Sequence, residues 1–167
     1  MRGRHRRIAA ALPALLLLAA CMGGLEPGAV APAAIPDPTQ AARADGPHDA
    51  LVCPQGACAK PDRTAPVYPV APEALFAALQ ATVAGEPRTT VIATDPQRLL
   101  LLAQQRTPVL RLVDTIELRV LPAPGGASIA AYSHSEVGWY DFGVNRARLE
   151  RWQADLEGRL GVRPAAG

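Results

Sequence analysis

Aromatic residues are scarce in this sequence, at 4% of 167 positions, and that scarcity excludes a large core. Apolar residues reach 49%, but alanine and proline inflate the figure, so a small core of Leu, Val and Ile is expected. No basic face is concentrated in the body of the chain. Four of the 17 basic residues (Arg2, Arg4, Arg6, Arg7) fall in the first seven positions and all 15 acidic residues lie after Cys21, which leaves 13 basic against 15 acidic beyond the head. That balance excludes the electrostatic footprint of a nucleic-acid binder. No glycine-rich phosphate loop and no metal-ligand spacing is present, so neither a cofactor nor a metal is expected. Of the three histidines (His5, His48, His134), only His134 falls within the expected folded domain. Nor is there a membrane-length apolar run at the head: Ile8 to Ala20 would span about 20 Å as a helix, against a hydrocarbon core of about 30 Å.

What the head does contain is a basic stretch, Met1 to Arg7, followed by that short apolar run, which is the pattern of a cleaved signal peptide over residues 1–20. It ends Leu18-Ala19-Ala20-Cys21, which resembles a bacterial lipobox. Small residues at 19 and 20 fit the peptidase, and the Cys21 thiol is the nucleophile that takes the lipid. Two acyl chains already suffice for stable anchoring. The alternative is an ordinary signal peptide with a chance cysteine. With Met at position 22, the resemblance to lipoprotein sorting rules implies the periplasmic face of the outer membrane. The expected partners are the membrane, through the lipid, and an envelope protein, lipid or wall component.

Residues 21–52 are rich in Ala, Pro and Gly and read as a disordered tether, since such composition cannot bury enough apolar surface of its own to offset ordering. Residues 53–70 follow as a cysteine loop and extended arm. Lipidation of Cys21 would leave Cys53 and Cys58 as a pair, and an exported location is oxidising. A disulfide closing so short a loop contributes about 2 kcal/mol and serves to fix a turn, helped by Gly56. A redox pair would more often stand as C-x-x-C at a helix start, and a metal site would need more ligands than nearby His48.

Residues 71–161 carry the domain, and residues 162–167 a tail. Ala71 to Gly85 reads as a helix, with Pro72 at its first position, Glu73 in its first turn and Leu75, Leu79 and Val83 on one stripe. Arg88 to Thr94 is β-branched and reads as a strand. For Gln97 to Arg106 the local signals conflict: Asp95-Pro96 argues for a helix start, while a hairpin through Asp95-Pro96-Gln97 argues for a strand. Leu110 to Leu121 places Ile116, Leu118 and Val120 on one face and Glu117 and Arg119 on the other. Pro124-Gly125-Gly126 turns the chain, and Ala127 to Ser135 returns as the paired strand. A final helix puts Leu149, Trp152, Leu156 and Leu160 on one stripe and ends at Gly161. The expected fold is α+β: a two-layer domain with an antiparallel sheet of about four strands and two helices on one face.

The strand-to-helix connection holds most of the polar residues that could define a site. Val137-Gly138-x-x-Asp141-Phe142-Gly143-Val144-Asn145-Arg146-Ala147-Arg148-Leu149 is similar to the tail motif of the bacterial family called domain of unknown function 1499. Arg106-Thr-Pro-Val-Leu-Arg-Leu-Val-Asp114 resembles that family's middle motif, and the early Cys53-Pro54 also fits. The resemblance covers about Cys53 to Leu160 and implies a strand for Leu99 to Arg106. It implies no activity. The sequence departs from the family at Glu136, where a basic residue is usual, and at Tyr140, where serine is common.

The candidate polar junction is Asp114, Ser133, Ser135, Gly138, Asp141, Gly143, Asn145, Arg146 and Arg148. Asp141 is placed to cap the last helix, and Gly138 and Gly143 to permit a tight turn and close helix–sheet contact. Asn145 is a second cap or a side chain facing the sheet, and Arg146 and Arg148 are within reach of Asp114 or Asp141. These features fix a helix onto a sheet. No catalytic residue is assigned: on a strand, His134 points away from Ser133 and Ser135, and arginines beside Asp114 and Asp141 would lower the pKa that a two-carboxylate mechanism must raise. The leading reading is a non-catalytic envelope lipoprotein. The alternative is a small-ligand or hydrolase-like enzyme centred on Asp141, Asn145 and Arg146, which requires a polar pocket beside Asp141.

Overall fold

The computed structural model describes residues 24–43 and 46–162. The expected signal peptide, Cys21 and the end of the tail lie outside the described residues. Six strands, β1 (Asp49–Cys53), β2 (Arg63–Thr64), β3 (Thr89–Asp95), β4 (Leu100–Arg106), β5 (Val113–Ala123) and β6 (Gly126–Ser135), form one sheet in the order β2-β1-β6-β5-β4-β3. All pairings are antiparallel except the short β1–β2 contact. Two α-helices, α1 (Pro72–Gly85) and α2 (Val144–Leu160), cover one face of the sheet. Among the described residues no helix is long and apolar enough to cross a membrane.

The α+β class holds, but the sheet is larger than the four strands expected. The two additional strands come from stretches read as tether and arm. In β1, Ala50 and Val52 face the helices while Leu51 and Cys53 join the cluster on the opposite side. Five residues bounded by Pro- and Gly-rich chain show too little period-two contrast to be recognised alone. The contested stretch after Asp95 is a hairpin, not a helix. Asp95 Oδ1 accepts from the backbone N–H groups of Gln97 (3.0 Å) and Arg98 (3.1 Å), which closes the turn into β4.

The helix-side core follows the alternation along the strands: Leu101 and Ala103, Ile116, Leu118 and Val120, and Ile129 and Ala131 meet Leu75, Leu79, Leu149, Trp152 and Leu156. Pro72 begins α1, where its missing N–H costs nothing. Gly161 ends α2 in the left-handed region at φ 62°. The arm lies on the domain as its apolar residues require: Tyr68 is fully buried and exchanges backbone hydrogen bonds with Ala127 (2.8 and 3.0 Å). Cys53 and Cys58 are joined in a disulfide across a turn in which Gly56 takes φ 76°.

The tether reading is corrected for residues 24–43, which lie across the outer face of the sheet. Leu25 N–H donates to Gln104 Oε1 (2.6 Å) and Gly28 N–H to the Ile92 carbonyl (2.7 Å). Asp37 pairs with Arg119, and Arg43 Nε donates to Asp49 Oδ2 (3.1 Å). Ile35, only 3% exposed, packs with Ile92, Leu100 and Leu102. The composition argument weighed only what this segment could bury by itself, whereas it orders by sharing the apolar surface of strands 60 residues away. One signal did point to it: Leu99 to Leu102 is a continuous run, the mark of a strand covered on both faces.

Candidate functional site

Helix α2 begins where β6 ends, so residues 136–143 must turn the chain from sheet to helix while satisfying the helix's unpaired N–H groups. Asp141 does this with both oxygens. Oδ1 accepts from Gly143 N–H (2.8 Å), and Oδ2 accepts from Asn145 N–H (2.9 Å) and Asn145 Nδ2 (2.8 Å). Gly138 (φ 106°) and Gly143 (φ 76°) occupy the left-handed region that glycine tolerates. A side chain at either would meet nothing within 4 Å, so the close helix–sheet contact expected of them is absent.

Asn145 in the first turn of the helix and Arg148 one turn on point at the sheet, 0% and 1% exposed. Asn145 Nδ2 also donates to the His48 carbonyl (3.0 Å) and to Ser135 Oγ (3.1 Å). Its Oδ1 accepts from Ser133 Oγ (2.6 Å) and from Arg148 Nη1. Arg148 donates further through Nε to Gln105 Oε1 (2.7 Å) and through Nη1 to Ser133 Oγ (2.8 Å), and its Nη2 pairs with Asp114. The other Asp114 oxygen accepts from Ser135 Oγ (2.7 Å). Burial pulls the Arg148 guanidinium below its ordinary value, and the Asp114 charge works against that.

The structure therefore brings together Asp114, Ser133, Ser135, Asp141, Asn145 and Arg148. Arg146 does not join them. It is an exposed helix residue 3.9 Å from Asp62, because position 146 falls on the outer side of α2. Gln105 was missed, although it shares the inward register of Leu101 and Ala103 on β4. Each serine hydroxyl donates once and accepts once, so neither has an uncommitted proton, and the one carboxylate they reach, Asp114 beside Ser135, is itself paired with Arg148. With Asp114, Ser133, Asn145 and Arg148 all at 1% exposure or less, the junction is filled by its own side chains.

A second constellation lies on the outer face. His134 points there, away from the serines, as strand alternation requires. It stacks on Tyr132 with ring centroids 5.0 Å apart and stands 4.0 Å from Glu117 Oε1. With Asp37, Gln40 and Ala41 these side chains line an open cleft of about 460 Å³. Burial, and then the charges of Asp37 and Glu136, push the Glu117 carboxyl from its ordinary 4.5 up to about 7. Burial lowers the His134 imidazole. Glu117 and Tyr132 escaped sequence reasoning because their face was expected to meet water, whereas residues 24–43 roof it.

A carboxyl whose folded pKa exceeds its unfolded one holds its proton more tightly in the folded state. Its contribution to stability is complete below about 4.5 and is lost as pH rises through about 7. In urea titrations across this range, the stability difference between wild type and Glu117→Gln should shift by about 2–3 kcal/mol, a figure reduced for partial exposure. His134, Asp37, Glu136 and Arg119 are present in both proteins and largely cancel. A difference that does not vary with pH would mean that Glu117 ionises as in water.

Solved structures similar to this chain include the crystal structure of Ara h 8.0201, at 13% identity and a TM-score of 0.44 over 59% of this chain and 95% of that one. Protein MLL2253 from Mesorhizobium loti matches at 13% identity and a TM-score of 0.46, over 68% and 96%. Likenesses this distant carry no statement about ligand or role. No curated protein matches the chain. A family model, described as protein of unknown function (DUF1499), matches residues 30–156, a span that takes in the outer-face segment from Val30, the sheet, and α2 through Leu156. With the Asp141–Arg148 junction inside that span, this chain belongs to the DUF1499 family.

Proposed function

We propose that this protein is a lipid-anchored component of the bacterial envelope whose domain acts by binding a partner, not by catalysis. The observation that carries this reading is the sealed junction. The residues most suited to chemistry spend their hydrogen bonds on one another, and the site has no room for a substrate. Arg146, which the enzyme alternative needs beside Asp141, lies on the surface. A small-ligand reading is better placed at the outer cleft, where Glu117 and His134 face open volume.

The test compares Asp141→Ala with Leu149→Ala at matched abundance in the envelope. Asp141 accepts only from neutral N–H groups, so its loss should lower stability by about 1–2 kcal/mol, with the denaturant slope unchanged. Leu149 is buried, and its truncation should cost about 2–5 kcal/mol. Any cellular phenotype should follow lost protein in both. An Asp141→Ala protein of undiminished stability that abolishes the phenotype, while Leu149→Ala at equal abundance retains it, would make the junction a working site.

A further inference from the structure

The exposed large hydrophobic side chains of the described residues gather at one end of the sheet. Val109 and Leu110, 86% and 66% exposed, stand on the β4–β5 connection. Val137, Trp139, Tyr140 and Phe142, exposed by 41, 69, 55 and 86%, stand on the β6–α2 connection. Arg106 faces Val113 and Asp114 faces Ser135 across the strands, so both connections leave the same end, and Glu136 N–H donates to the Val113 carbonyl (3.1 Å) between them. Val144, at the start of α2, and Leu25 complete the group. The opposite end, with the turns after β3 and β5, carries none of it. Contiguous exposed apolar surface of this kind marks an interaction site.

Three further observations indicate what covers it. Tryptophan and tyrosine beside aliphatic residues are the side chains that settle at a membrane–water interface. Arg88, Arg106 and Arg111 stand at the same end, Arg88 Nε donating to the Arg106 carbonyl (3.2 Å) and Arg106 Nη1 to that of Arg111 (3.4 Å). Of the carboxylates nearby, Glu86 is paired with Arg151, Glu136 accepts from Thr115 and Asp141 accepts from the first turn of α2. The chain also enters the domain at this end. A Cβ built on Gly24 would lie 2.9 Å from Arg106 Nη2. Two residues, Met22 and Gly23, separate Gly24 from Cys21, a reach of about 10 Å over three Cα steps at full extension.

We propose that this apolar end is a membrane-docking face, resting on the bilayer that holds the acyl chains of Cys21. The proposal rests on the lipid-anchor reading above. A tether of two residues between Cys21 and Gly24 cannot hold the domain far from the membrane, so the anchor presents this end to the lipid. Trp139 and Phe142 then enter the headgroup and upper acyl region, and Arg88 and Arg111 meet anionic headgroups.

The full lipidated chain should be reconstituted into vesicles of phosphatidylethanolamine and phosphatidylglycerol with brominated acyl chains. The emission lost in Trp139→Phe isolates Trp139 from buried Trp152. Brominated chains should quench that component about twofold, as expected for a side chain about 5–10 Å into the interface, while aqueous iodide should leave it largely unquenched. The double substitution Leu110→Asp with Phe142→Asp should reverse both results with the protein still vesicle-bound. Anchored protein whose Trp139 is quenched by iodide and not by bromine would overturn the docking face and leave the tip facing a soluble partner. Metabolic labelling with a fatty-acid analogue, equal in wild type and Cys21→Ala, would overturn the anchor reading and with it the placement on which this proposal stands.

Discussion

Replacing Asp114 by alanine will cost the domain about 3–5 kcal/mol, because it leaves the Arg148 guanidinium buried without its counter-charge. Arg148 is 1% exposed, so water cannot take the place of the carboxylate. Gln105, Ser133 and Asn145 still accept from it, but they are neutral. Arg148→Met will be costly for the complementary reason: Asp114 keeps only the Ser135 hydroxyl and Gln105 loses its donor. The diagnostic measurement is the double-mutant cycle. Asp114→Leu with Arg148→Met should be less destabilised than the sum of the two changes by about 2 kcal/mol or more, since the pair is removed and neither charge is stranded. Additive losses would mean that the two groups are solvated independently and the junction is not a closed network. This outcome bears on the proposed function, because a working site would leave these groups accessible.

Gly126→Ala will be nearly as damaging, and for a different reason. A Cβ at position 126 would stand 1.9 Å from the Tyr68 carbonyl oxygen, so the arm must lift from the sheet. Lifting it breaks both Tyr68–Ala127 backbone hydrogen bonds and the contact of Ser128 Oγ with the Pro66 carbonyl (2.7 Å). The expected loss is about 3 kcal/mol or more, which for a domain of this size lowers the melting temperature by about 10 °C. Gly125→Ala is the control. Gly125 also has positive φ, 85°, but its Cβ would meet nothing within 4 Å, so only backbone strain of about 1 kcal/mol is expected. Equal effects of the two substitutions would show that the arm is not seated on Gly126.

The parts of this fold that were legible in sequence are those whose partners lie close along the chain. Ile116, Leu118 and Val120 alternate with Glu117 and Arg119, and the returning strand lies only three residues beyond β5, so that hairpin and its inward face could be read directly. Asp141 as a cap was legible because the groups it serves, on Gly143 and Asn145, follow within four positions. What failed depends on distance. Residues 24–43 have no stripe of their own, and Ile35 is buried only because Ile92, Leu100 and Leu102 are there to meet it. β1 is a strand because β6 lies beside it. At the junction, the charge was assigned to both Arg146 and Arg148, although helical geometry sends positions two apart to different sides. The choice between them required knowing where the sheet lay.

The pairing of β1 with β6 has a consequence for the order in which the molecule is completed. Asp49 lies opposite His134 and Val52 opposite Ala131. Asp37 depends on Arg119, and Tyr68 on Ala127. For a chain that emerges amino end first, from a ribosome or through a membrane pore, the segment around Ile35 can seat once β3 and β4 are out, but β1, Asp37 and Tyr68 find no seat until β5 and β6 have followed. Asp114 then waits longer still, for a cation that arrives only with α2. Contacts of such separation close slowly, so β1 and the arm stay unset until late in the emergence of the chain. The strand β6 therefore decides when β1 and the arm around Tyr68 become structure.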